Sequence, residues 1–198
     1  MLVWIHVVAS VLWLLLYTAQ CLLIRWGNRG VHQRLGWAGL PLAIAVVVLG
    51  LIMTIEQGRR GFAMWWNPDL EVDGLGELVH PLGDLLSFSI LVTAGFLWRR
   101  RIEAHKRLML LATTGSMMAA PLAHLISYFP ALQDVPPIIL FPLAALYFSS
   151  AVHDWRTRGR IHPVSLWGGV LLFAFAFTRA ALIGPSTAWH SFVGWLVK

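Results

Sequence analysis

Eight histidines are the residues of this chain best suited to chemistry, and they sort by depth along the apolar runs that carry them. His105 and His124 share one run. Nineteen residues separate them, about 28 Å at 1.5 Å per helical residue, so they belong to opposite ends of a membrane-length helix. His6, His80, His124 and His190 fall in one set and His32, His105, His153 and His162 in the other. In the first set, the string Glu77-Leu-Val-His80-Pro-Leu-Gly-Asp84 puts His80 and Asp84 one turn apart on one helix face. His6 heads a stripe with Ser10, Trp13, Tyr17 and Gln20 that suits a bundle interior. Imidazoles brought together from adjacent helices at one depth are what a haem iron or a small metal ion requires.

That set supports three expectations. In the leading one, His80 and His124 are axial ligands of haem b, His6 supports or replaces one of them, and Asp84 tunes the charge. One-electron transfer to a quinone or a redox protein then needs no acid–base apparatus. In the second, His6, His80, Asp84 and His124 hold zinc or copper, and a zinc-dependent membrane hydrolase uses Asp84 as base or fourth ligand. In the third there is no cofactor. The chain is then an accessory or assembly subunit of a larger membrane complex, and its histidines merely sit at the interface. Arg179 competes for Asp84, because a buried Asp–Arg pair neutralises both charges without any ligand.

The second set sits beside arginines. His32, His105 and His162 open helices where the dipole and free backbone N–H groups favour an anion, lipid phosphate being the plain choice. A second haem between His32 and His105 is the sharper alternative.

These residues need long apolar helices to position them, and the composition supplies them. Of 198 residues 58% are hydrophobic and 12% charged, which is outside the range of a soluble domain. An all-α polytopic membrane bundle is expected, a single transmembrane domain over residues 1–198. Six runs of about 20 apolar residues qualify as spans: residues 2–24, 36–55, 79–98, 106–128, 137–153 and 164–183. The stretch 56–76, with Trp65-Trp66, is too polar to span and reads as an outer cap; the amphipathic tail 185–198 reads as a short interfacial helix. Lys and Arg number eleven in alternate loops, with Arg99-Arg100-Arg101 and Lys106-Arg107 as the densest elbow, against three in the others. Basic loops stay cytoplasmic, so both termini face outward, across a bacterial inner membrane. The net charge of +6 is thus topological, and nucleic acid is not an expected partner. The lone Cys21 excludes an internal disulfide, and the first run, lacking a basic leader, reads as a retained helix.

Three motifs carry a likeness to known proteins: His32-Gln-Arg-Leu-Gly36, Glu103-Ala-His-Lys-Arg-Leu-Met-Leu-Leu-Ala-Thr113, and the tail from Arg179 through Trp189 to Trp195. Over most of its length the chain resembles a group of uncharacterised bacterial multi-pass inner-membrane proteins, which implies a fold but no activity. It is more distantly similar to transmembrane di-haem b-type cytochromes that act as ferric reductases. That similarity implies an inner haem on His32 and His105 and an outer one with His80 as a ligand. The outer partner expected on the fifth helix is missing, since its only histidine, His153, lies at the inner end; His124 or His6 would have to substitute.

Overall fold

The computed structural model describes residues 2–61, 73–119, 121–122, 125 and 140–198. Among them every regular element is a helix. In chain order these are α1 (Leu2–Arg25), α2 (Arg29–Arg59), α3 (Gly74–Glu77), α4 (Val79–Leu97), α5 (Ile102–Leu110), α6 (Leu140–Arg158), α7 (Pro163–Thr178) and α8 (Thr187–Leu196). Two π-helical turns extend α5 over Leu111–Ser116 and α7 over Arg179–Ile183. Among the described residues, four helices are long and apolar enough to cross a membrane: Leu2–Arg25, Arg29–Arg59, Gly74–Leu97 and Pro163–Ile183. The other two expected spans, 106–128 and 137–153, fall on α5 with its π-turn and on α6, and part of each lies outside the described residues. So does most of the expected cap, including Trp65 and Trp66.

The chain divides into two compact units, residues 1–55 and 56–198. In the first, α1 ends on Gly27 at φ 74°, and the Asn28 amide donates 2.8 Å back to the Leu23 carbonyl. That six-to-one closure needs the left-handed backbone that glycine adopts without steric cost. Helix α2 then starts at Arg29, seven residues before the expected Gly36, because polar His32-Gln33-Arg34 continues a helix as readily as apolar sequence does. His32 is therefore inside the helix, with Asn28 Oδ1 accepting from the Val31 amide at 3.2 Å. A small-residue stripe on α2 (Gly39, Ala43, Val46, Gly50, Thr54) is buried. Of the expected α1 stripe, Trp13 is buried to 2% exposure, while His6, Ser10, Tyr17 and Gln20 are half-buried.

In the second unit, α4 and α5 form a hairpin in which Gly95 lets α5 approach; a Cβ there would lie 2.7 Å from Met109 Sδ. Helices α6 and α7 form another hairpin, turned by Gly159 at φ 63° and restarted by Pro163, whose fixed φ suits a first helical position. They approach closely at Gly169, where a Cβ would meet the Tyr147 carbonyl at 2.8 Å. The tail forms α8 as expected, capped by Ser186 Oγ accepting from the Trp189 amide at 3.2 Å.

Candidate functional site

Two polar clusters sit at opposite ends of the second unit, each built on an arginine that apolar helices have buried. At the end expected outside, Arg179 opens the π-turn that closes α7. Its Nη2 lies 2.6 Å from Asp84 Oδ1 on α4, its Nη1 donates 3.1 Å to the His80 carbonyl, and its guanidinium stands 5.6 Å from the Phe175 ring centroid. Gly83 makes room, since a Cβ there would sit 2.6 Å from Arg179 Nη1. The His80 ring is held only loosely, 3.9 Å from Glu77 Oε2, with 41% of the side chain exposed.

At the other end Arg107, 3% exposed, enters α5–α6–α7 from the first turns of α5. Its Nε donates at 2.9 Å both to Asp154 Oδ2 on α6 and to Ser165 Oγ on α7, and its Nη2 also pairs with Asp154 Oδ1. Ser165 in turn donates 2.6 Å to Asp154 Oδ2. Arg107 Nη1 reaches the Glu103 carboxylate at 2.7 Å, where Arg158 arrives at 2.6 Å and Lys106 at 2.8 Å. Those three cations hold the Glu103 carboxyl well below its ordinary range, the Arg158 hydrogen bond most strongly. A buried guanidinium with this many acceptors is the arrangement that burial of a charge demands.

His162 is the N-cap of α7; its Nδ1 accepts from the Val164 amide at 3.1 Å. Burial, then Arg107, lowers its pKa, which favours the neutral ring that this acceptor role requires. His105 behaves in the opposite sense: its Nδ1 lies 2.8 Å from the Gly95 carbonyl and can only donate to it.

No protein-family model, no curated protein and no solved structure matches this chain.

Of the residues expected to bind a cofactor, Asp84 and the His80 carbonyl are both held by Arg179. The Asp84–Arg179 pairing is the competing arrangement that the sequence had offered. Among the described residues, no group of three or more His, Cys, Asp or Glu is placed to hold a metal ion. His6 and His32 belong to the first unit and His80 and His105 to the second; His124 lies outside the described residues. His6 is half-buried, and its Nδ1 is a buried atom without a hydrogen-bond partner.

Sequence reasoning missed the Arg107–Asp154–Ser165 cluster. A signal was present: Asp154 follows an apolar run directly, and Ser165 opens one, which is where a buried charge needs a partner. His190, grouped by depth with His6, His80 and His124 but given no partner, docks α8. Its Nε2 donates to the Asp73 carboxylate at 2.7 Å, its Nδ1 to the Ser186 carbonyl at 2.7 Å, and beside it Trp189 Nε1 donates to the Leu75 carbonyl at 2.9 Å.

Proposed function

We propose that this chain is a multi-pass protein of the bacterial inner membrane, with six spans and both termini outward, that binds haem b through helix histidines. It would pass single electrons to or from a quinone or a redox protein. The observation that carries this reading is the bond between His105 Nδ1 and the Gly95 carbonyl. It orients the ring and, in the neutral imidazole, puts the proton on Nδ1, the tautomer in which a histidine would ligate haem iron. His80 adds to it, because Arg179 clamps its backbone while the ring stays half exposed. A bound haem would supply the redox change; the chain's part is to hold the ring planes and exclude water. The zinc-hydrolase reading has less support, since Arg179 already neutralises Asp84 and its guanidinium repels a divalent ion.

The test is a dithionite-reduced minus air-oxidised absorption spectrum of the purified protein, with metal analysis alongside. The expected result is a haem b spectrum that is lost or shifted in His105→Ala. Zinc without colour would favour the hydrolase. With neither bound, the accessory-subunit reading would replace this one.

A further inference from the structure

The elbow between α4 and α5 carries more positive charge than its ion pairs consume. A cavity of about 520 Å³ opens here, lined among others by Trp98, Arg100, Arg101, Ile102, Glu103 and His162. Arg100 and Arg101 are exposed, and among the described residues neither forms an ion pair with a carboxylate. Arg101 is held in place by the Trp98 ring, its guanidinium carbon 5.9 Å from the ring centroid. Among the described residues Glu103 is the one carboxylate in the wall, and it is already engaged by Lys106, Arg107 and Arg158, so it offers an incoming anion little repulsion. Helix α5 starts at this wall with Arg101 as N-cap and no side-chain cap bond, leaving the positive end of its dipole directed there. Across the cavity, His162 uses Nδ1 as an acceptor, so in the neutral ring Nε2 carries the proton.

We propose that this cavity binds the phosphate of an anionic phospholipid headgroup, held by Arg100 and Arg101 at the membrane surface. Phosphate is the anion whose geometry suits two guanidinium forks. The lipid source follows from the rest of the wall. Ile102 is 67% exposed and Trp98 is 43% exposed at the end of an apolar helix. Such residues flank an acyl chain usefully and give a free phosphate nothing. This inference stands apart from the haem reading, since none of the histidines proposed as axial ligands lines the cavity.

The test is native mass spectrometry of the full chain released from neutral detergent with equimolar dioleoyl-phosphatidylglycerol and dioleoyl-phosphatidylcholine. Three proteins are compared: wild type, Arg100→Gln/Arg101→Gln, and Arg25→Gln/Arg29→Gln as a control with equal charge loss at another elbow. The expected result is selective retention of phosphatidylglycerol by wild type and control, and about a ten- to thirtyfold loss in the Arg100/Arg101 variant. Equal loss in both variants would show unspecific attraction and overturn the proposal. Displacement of the lipid by equimolar inorganic phosphate would overturn it too, by making a free anion the ligand. Arg100→Lys/Arg101→Lys keeps the charge and guards against misfolding: retention near wild type supports the site, and loss equal to the Gln variant overturns it.

Discussion

Arg179 and Asp84, ninety-five positions apart in sequence, meet at 2.6 Å with 5% and 17% of their side chains exposed. The same guanidinium holds the His80 carbonyl, so one residue couples the end of α7 to the first turns of α4. Removing one partner leaves an uncompensated charge in an apolar setting, whereas removing both does not. Asp84→Asn or Arg179→Met should each destabilise the protein by about 3 kcal/mol, and the double variant by less than the sum. Denaturation of the detergent-solubilised protein checks this, and additive losses would show that the two do not interact.

Gly83 reports on the same clamp from the backbone side. A methyl group there would sit 2.6 Å from Arg179 Nη1 and 3.0 Å from its Cδ. The arginine must move, and Gly83→Ala is expected to cost about 1–3 kcal/mol despite its gain in helix propensity. In Arg179→Met background the penalty should shrink, which a double-mutant cycle measures.

At the opposite end, burial separates contacts that look alike. Asp154→Asn leaves Arg107 buried with half its pairing gone and should cost about 3–5 kcal/mol. Lys106→Gln removes a pair whose side chains are 46% and 44% exposed, with an expected loss below about 1 kcal/mol. Urea or thermal melts of the two variants give the ranking; a Lys106 effect as large as that of Asp154 would refute it.

The docking of α8 should depend on pH. Both His190 ring nitrogens face acceptors, the Asp73 carboxylate and the Ser186 carbonyl, and only the imidazolium satisfies both. The Ser186 bond and then Asp73 raise the His190 pKa above its ordinary 6.5. The Gly76 amide and then His190 lower that of Asp73 below its ordinary 3.8. The histidine contribution is therefore complete below about pH 6.5 and lost as pH rises through its raised pKa; the aspartate contribution is complete above about pH 3.8 and lost on acidification through its lowered one. Amide protection across Thr187–Leu196, corrected for the intrinsic pH dependence of exchange, should be highest between those limits and fall on either side of them, and His190→Gln should abolish the upper step.

Much of the fold was legible in the sequence because it is local. Apolar length marked the four membrane-length helices; the turn at Gly159, Pro163 at the start of α7 and Ser186 ahead of α8 follow from neighbours in the chain. The early start of α2 was not legible, because hydropathy marks where a helix is apolar and not where hydrogen bonding begins.

The sequence by itself determined that long apolar helices would form and which residues would be too polar to lie among them unpartnered. Only the tertiary structure decided the partners. It gave Asp84 to Arg179 where a haem or metal site had been a claimant, tied Arg107 to Asp154 and Ser165, and turned His190 into a latch on Asp73. The reason is one of range: a helix is fixed by contacts three or four residues apart, while a buried charge is satisfied by whichever complementary group helix packing brings within about 3 Å. No periodicity in the chain encodes that meeting.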